Sequence, residues 1–93
     1  MKYLKKPVTV EAFKWTGDRE QEEDPLWIVE AIKNLTIWVT DGTDDYEPVM
    51  NISNLDGMIY AEKGDYIIKG AHGEIYSCKP DIFEETYVKV EEK

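Results

Sequence analysis

The alternation of apolar and polar residues along the chain predicts short strands and one main helix. Residues 8–15 are β-branched and aromatic and alternate between two faces, which is typical of a strand. In residues 25–34 the apolar positions recur instead at helical spacing. Pro25 follows Asp24, and these residue types suit the first helical position and the cap before it. The first third of the chain is therefore predicted to form a strand and then a helix.

After the helix, apolar residues recur at every second position. Six further strands are predicted, at residues 36–39, 46–53, 58–61, 66–69, 74–78 and 86–90. Residues 80–85 begin with Pro80 and predict one helical turn, which places Ile82 and Phe83 in the core. Most of these segments are joined by short turns rich in Gly and Asp, so the strands should be largely antiparallel.

These elements predict one α+β domain spanning residues 1–93. We expect a strongly curled, mostly antiparallel sheet or an open barrel of six or seven short strands. The main helix, at about residues 25–34, would lie across one end. The composition agrees, because 42% hydrophobic and 12% aromatic residues supply one core without a metal or a disulfide.

The net charge of −9 is concentrated in the middle of the chain. Residues 1–17 carry four lysines and one glutamate, whereas residues 18–47 carry ten acidic residues against Arg19 and Lys33. A negative field repels phosphates and removes the counterion release that dominates binding to nucleic acids. We therefore expect no direct nucleic-acid partner.

Residue types that support catalysis or metal binding are scarce. Cys78 is the one cysteine and His72 the one histidine, so the usual zinc sets cannot form. The turn at residues 70–73 lacks the spacing of a phosphate-binding glycine loop. We expect a protein without enzymatic activity, metal or cofactor.

The chain also lacks the sequence features of a membrane or secreted protein. No apolar run reaches the length of a membrane-spanning helix, and no apolar core of a signal peptide follows the N-terminal lysines. A single cysteine fits a reducing compartment. We therefore expect a cytoplasmic protein with no membrane partner.

Two segments carry a resemblance. They are KKPVTVEAFKWTG at residues 5–17 and GDYIIKGAHGEIYSCKPDIFEETY at residues 64–87. Together they resemble a widespread family of small, mostly uncharacterised phage and prophage proteins. Leu4 and Lys63 replace the Arg and Pro more usual in that family, and the acidic middle of the chain has no counterpart. The resemblance implies a phage protein that acts in the cytoplasm of the bacterial host, and it brings no established reaction with it.

Small phage proteins of this kind commonly act by stoichiometric binding. The leading hypothesis is an anti-defence protein that sequesters a nucleotide-derived immune signal. Lys69 and Lys79 would meet the phosphates, and Trp15 and Tyr76 would offer aromatic faces to the base. Asp81 would accept a hydrogen bond from a ribose hydroxyl or a base N–H.

The alternative hypothesis is an acidic inhibitor that binds a host defence protein and imitates nucleic acid. Its partner-binding residues would come from the acidic middle of the chain: Glu22, Glu23, Asp41, Asp44 and Asp45. A third interpretation is a structural component of the virion. Exposed sheet edges could also pair two copies into a homo-oligomer.

Overall fold

Six short strands and two helices make up the part of the chain that the structure describes. The computed structural model describes residues 1–4, 8–17, 25–40, 42, 47–55 and 57–90. The helices are α1 (Leu26–Lys33) and α2 (Pro80–Thr86), and neither is long and apolar enough to cross a membrane. The strands are β1 (Glu11–Lys14), β2 (Ile37–Thr40), β3 (Val49–Asn54), β4 (Gly57–Ala61), β5 (Tyr66–Lys69) and β6 (Ile75–Cys78).

The strands form two antiparallel sheets. Sheet A has the order β1-β5-β6 and sheet B the order β2-β3-β4. The prediction of an α+β domain with antiparallel strands is confirmed, but among the described residues there is no single curled sheet or barrel. The chain changes sheets at the turn between β4 and β5. There Trp15 N–H donates to Asp65 C=O (2.9 Å) and Gly64 N–H donates to Trp15 C=O (2.7 Å). These bonds place β5 beside β1, with which it pairs.

The hydrophobic core lies between the inner faces of the two sheets and is closed by α1. The two sheets contribute rows of side chains that meet across the core, and the helix adds its buried stripe. The buried members of this cluster are Phe13, Trp15, Ile28, Ala31, Ile37, Met50, Ile52, Ala61 and Ile67. Trp27 packs against it at the edge, with its ring 5.5 Å from that of Phe13.

The C-terminal elements differ in part from the prediction. The helical turn at residues 80–85 is confirmed as α2, but the strand predicted at residues 86–90 is wrong. Tyr87 instead ends the helix, with its N–H donating to Phe83 C=O at 2.9 Å. The helix also does not insert into the main core, since Ile82 is 52% exposed and Phe83 is half-buried.

Candidate functional site

Trp15, the predicted stacking residue, lies in the core. Its side chain is 7% exposed and belongs to the cluster between the sheets. Its backbone is tied to Gly64 and Asp65 by the two hydrogen bonds that fix the turn between β4 and β5. A ring in this position has no free face for a nucleotide base.

Lys79, one of the two predicted phosphate ligands, is engaged within the chain. Its Nζ lies 3.2 Å from both carboxylate oxygens of Asp65 and 3.3 Å from Oε2 of Glu62. The Asp65 side chain is only 5% exposed, and its Oδ2 also accepts the N–H of Glu62 at 2.9 Å. Hydrogen bonding to Asp65 raises the pKa of Lys79. A phosphate bound to this lysine would lie close to a buried carboxylate. Lys79 therefore stabilises the fold through its ion pair with Asp65.

The other predicted residues do not converge. Lys69 shares the inner face of sheet A with Ile75, which lies opposite it. Tyr76 points to the outer face of the same sheet, where its hydroxyl shares a hydrogen bond of 3.3 Å with that of Tyr87. Asp81 is exposed in the first turn of α2. The structure therefore does not bring the five residues of the leading hypothesis together.

The residues of the alternative hypothesis lie outside the described part of the chain. Their places in the sequence are still informative: Glu22 and Glu23 precede α1, whereas Asp41, Asp44 and Asp45 belong to the connection between β2 and β3. The second group therefore follows β2 directly in the sequence.

Cys78 is not an activated nucleophile. Burial raises the pKa of its thiol, and the charges of Asp65 and Asp81 raise it further. A thiol in such surroundings stays protonated at neutral pH. Among the described residues, no three His, Cys, Asp or Glu side chains lie close enough to hold a metal ion.

An open groove of about 870 Å³ runs between the turn after β3 and the turn after β5. Its polar lining includes Ser53, Asn54, His72 and Glu74, and the Glu74 carboxylate accepts the N–H of His72 at 3.0 Å. The lining residues include no lysine or arginine. A phosphate-bearing ligand would find no cation in this groove.

The outer face of sheet B is the exposed aromatic surface of the described structure. The register places Trp38, Asn51 and Tyr60 in one row across the three strands, with Met58 on the same face. Trp38 is 44% exposed and Tyr60 is 62% exposed. The outer face of sheet A is different, because α2 covers it with Phe83, whose ring stacks 3.9 Å from that of Tyr66.

Asn51, in the middle of this row, binds strand β2 through its side-chain amide. Although it lies on the outer face, its side chain is buried between its neighbours. Its Nδ2 donates to Trp38 C=O at 3.2 Å and to Thr40 Oγ1 at 2.9 Å. A buried amide whose hydrogen bonds are formed in this way links β2 to β3 and holds Trp38 beside Asn51. The alternation of residue types in β2 and β4 is the sequence signal for this face. Alternation does not indicate which of the two faces of a sheet is covered by the rest of the chain.

No protein-family model, curated protein or solved structure matches the chain. The segments at residues 5–17 and 64–87 can be placed in the fold: their described residues build β1, β5, β6 and α2. Several of their residues have structural roles. Gly17, for example, has a φ of +74°, and a side chain there would collide with Lys63.

Proposed function

We propose that this protein is a non-enzymatic binding protein that occupies a basic surface of another protein through the outer face of sheet B. The observation that carries the proposal is the row of Trp38 and Tyr60, which no described helix or strand covers. Aromatic side chains are enriched in protein interfaces and supply much of their binding energy. Asn51 links the strand that carries Trp38 to β3. This holds Trp38 in place and lowers the entropic cost of binding.

Charge around this face favours a basic partner. The connection between β2 and β3 carries Asp41, Asp44, Asp45 and Glu47, and it joins the strands at the Thr40 end of sheet B. The chain as a whole has a charge of −9. Exposed aromatic side chains on a chain of net negative charge fit a positively charged protein surface, and the opposite charges accelerate the encounter.

This proposal corresponds to the alternative hypothesis, an acidic inhibitor of a host protein. The resemblance to phage proteins supplies the biological setting, in which the target would be a bacterial defence protein. Capture of a nucleotide-derived signal has less support, since Trp15 is buried, Lys79 is paired with Asp65 and the described groove has no cation.

The test is a binding measurement on a purified complex. Partners captured from a bacterial host extract would be identified, purified and titrated by calorimetry against the wild-type chain. The double variant Trp38→Ala/Tyr60→Ala should bind at least about 30-fold more weakly, the loss expected for two interface aromatics. The matched control is Ile82→Ala, which removes an exposed apolar side chain from α2.

Two outcomes would overturn the proposal. One is a complex whose affinity is the same for the double variant and the wild type. The other is binding of a small molecule instead. Calorimetry against cyclic dinucleotides and cyclic ADP-ribose isomers should give no heat. A saturable signal would support the nucleotide hypothesis.

A further inference from the structure

The side chain of Asn51 carries a hydrogen-bond acceptor that the fold does not use. Its Nδ2 donates to Trp38 C=O at 3.2 Å, to Thr40 Oγ1 at 2.9 Å and to Val49 C=O at 3.4 Å. Its Oδ1 accepts no hydrogen bond from the described residues. Among those residues, no buried side-chain oxygen or nitrogen lacks a partner. The Oδ1 atom therefore reaches solvent, although Asn51 as a whole is only 7% exposed.

The hydrogen bonds of Nδ2 fix the orientation of this amide. Two of its three acceptors are backbone carbonyls, which can accept but not donate. Turning the amide over would place its oxygen beside these carbonyls and lose the bonds. Because Nδ2 is directed towards Trp38 and Thr40 on β2, Oδ1 is directed away from that strand. The acceptor thus has a fixed place on the outer face of sheet B.

Two exposed aromatic side chains flank this acceptor. The register places Trp38 on one side of Asn51 and Tyr60 on the other. Neighbouring strands of a sheet lie about 4.8 Å apart. A group above Asn51 therefore lies within about 6 Å of an aromatic side chain on either side, the range over which a cation is attracted to a ring.

The chemistry of this site favours a cation that carries N–H groups. The unused atom is an acceptor, so it bonds a donor, and the faces of aromatic rings are negative. The strands β2, β3 and β4 contain no charged residue, so no lysine or arginine of sheet B competes for the rings. The net charge of −9 attracts a cation, whereas an anion would meet the carbonyl oxygen and the ring faces.

We propose that the space above Asn51, between Trp38 and Tyr60, binds an arginine side chain supplied by the partner. This inference rests on the proposed function and names the group that the partner inserts. A guanidinium is planar, stacks on aromatic rings and has five N–H donors, one of which would bond to Asn51 Oδ1. A lysine ammonium is a compact and strongly hydrated charge, which gains less from the ring faces.

Three short peptides test this assignment. The first is acetyl-Gly-Arg-Gly-amide. The second has citrulline in place of arginine, which keeps the planar shape and N–H groups but removes the charge, and the third has lysine. Each is titrated into the wild-type protein labelled with ¹⁵N, and nuclear magnetic resonance follows the indole N–H of Trp38 and the side-chain amide of Asn51.

The arginine peptide should shift both signals in a saturable manner. The citrulline peptide should bind at least about fivefold more weakly, because the attraction of a cation to the rings is lost. The lysine peptide should also bind more weakly than the arginine peptide. The result expected is therefore a preference that requires both the charge and the planar shape.

A pair of variants at Tyr60 tests the contribution of the ring. Tyr60→Leu keeps an apolar side chain and removes the aromatic face, whereas Tyr60→Phe keeps the face. Since Tyr60 is 62% exposed, both variants should keep the fold, which thermal melts check. Tyr60→Leu should bind the arginine peptide at least about fivefold more weakly than Tyr60→Phe does.

The outcomes separate this inference from the proposed function. Citrulline or lysine peptides that bind as tightly as the arginine peptide would overturn it. So would equal binding by Tyr60→Leu and Tyr60→Phe, or an arginine peptide that shifts neither signal. In each of these cases a purified complex that still lost affinity in Trp38→Ala/Tyr60→Ala would leave the proposed function standing, with another group of the partner at this site.

Discussion

Lys79 neutralises Asp65, whose carboxylate is almost removed from solvent at the turn between β4 and β5. Replacing Lys79 by Ala removes the ammonium from that carboxylate and leaves the hydrogen bond from the Glu62 N–H. Leaving a buried polar group underbonded costs about 1 to 3 kcal/mol. Lys79→Ala should lower the free energy of unfolding by this amount in urea denaturation.

The matched control is Lys63→Ala. The Lys63 ammonium lies 3.3 Å from Oε2 of Glu47, in a pair whose two side chains are well exposed. An exposed pair contributes less than about 1 kcal/mol. If Lys79→Ala were no more destabilising than Lys63→Ala, the ammonium of Lys79 would be free to serve a ligand, as the sequence suggested.

Tyr76 should make the fold sensitive to alkali. Burial and the hydrogen bond with Tyr87 raise its pKa from 10.0 to about 12. A group whose pKa is higher in the folded chain stabilises the fold fully below its unfolded value, and this contribution is lost as the pH rises through the folded value. Stability should therefore fall between pH 10 and 12.

Denaturation at successive pH values measures this loss. Lys79, whose pKa is also raised, contributes in the same direction. Tyr76→Phe should therefore lose less stability over this range than the wild type does. Some loss should remain in the variant because of Lys79. The same loss in both proteins would mean that the phenol is not responsible.

The small helix α2 depends on one aromatic stack. Phe83 lies between Tyr66, at a centroid distance of 3.9 Å, and Tyr87, at 4.9 Å. Phe83→Ala should cost about 2 to 4 kcal/mol, because it removes both contacts and uncovers the outer face of sheet A. Ile82→Ala, at a side chain 52% exposed, should cost less than about 1 kcal/mol. Equal losses in thermal melts would show that the helix buries both residues.

The sequence was most informative about individual elements. Helical spacing located α1 to within a residue at each end, and Pro80 marked the start of α2. The strand predicted at residues 86–90 was wrong although its alternation is strand-like. Phe83 and Tyr87 are four residues apart, a spacing at which helical side chains meet. The stacking of Phe83 on Tyr66 and of Tyr87 on Phe83 outweighs the local β-propensity.

At the scale of the whole molecule, the two sheets should unfold together. The core contains Phe13 and Ile67 from sheet A, Ile37 and Ile52 from sheet B, and Ile28 from α1. A shared core couples its elements into one transition. Calorimetry should give equal calorimetric and van't Hoff enthalpies. Separate transitions for near-ultraviolet and far-ultraviolet circular dichroism would contradict this prediction.

The arrangement of strands into two sheets was not predictable from the pattern alone. β1 pairs with β5, more than 50 residues later, while β4 and β5 are joined by a short turn and lie in different sheets. Short turns indicate antiparallel neighbours, and nothing in the sequence of residues 62–65 indicates the exception. The pattern predicted both Trp15 and Trp38 in strands, whereas Trp15 follows directly after β1. The pattern also did not indicate that Trp15 is buried and Trp38 exposed.

The exposed aromatic row of sheet B has a consequence for how the protein behaves alone. Before a partner arrives, Trp38 and Tyr60 stay exposed to solvent, and an exposed apolar surface promotes association between copies. A charge of −9 keeps the copies apart in dilute neutral buffer. The acidity of the chain then also gives colloidal protection, in addition to favouring a basic partner. Acidification that protonates the carboxylates should therefore precipitate the unliganded protein, and the double variant Trp38→Ala/Tyr60→Ala should stay in solution longer.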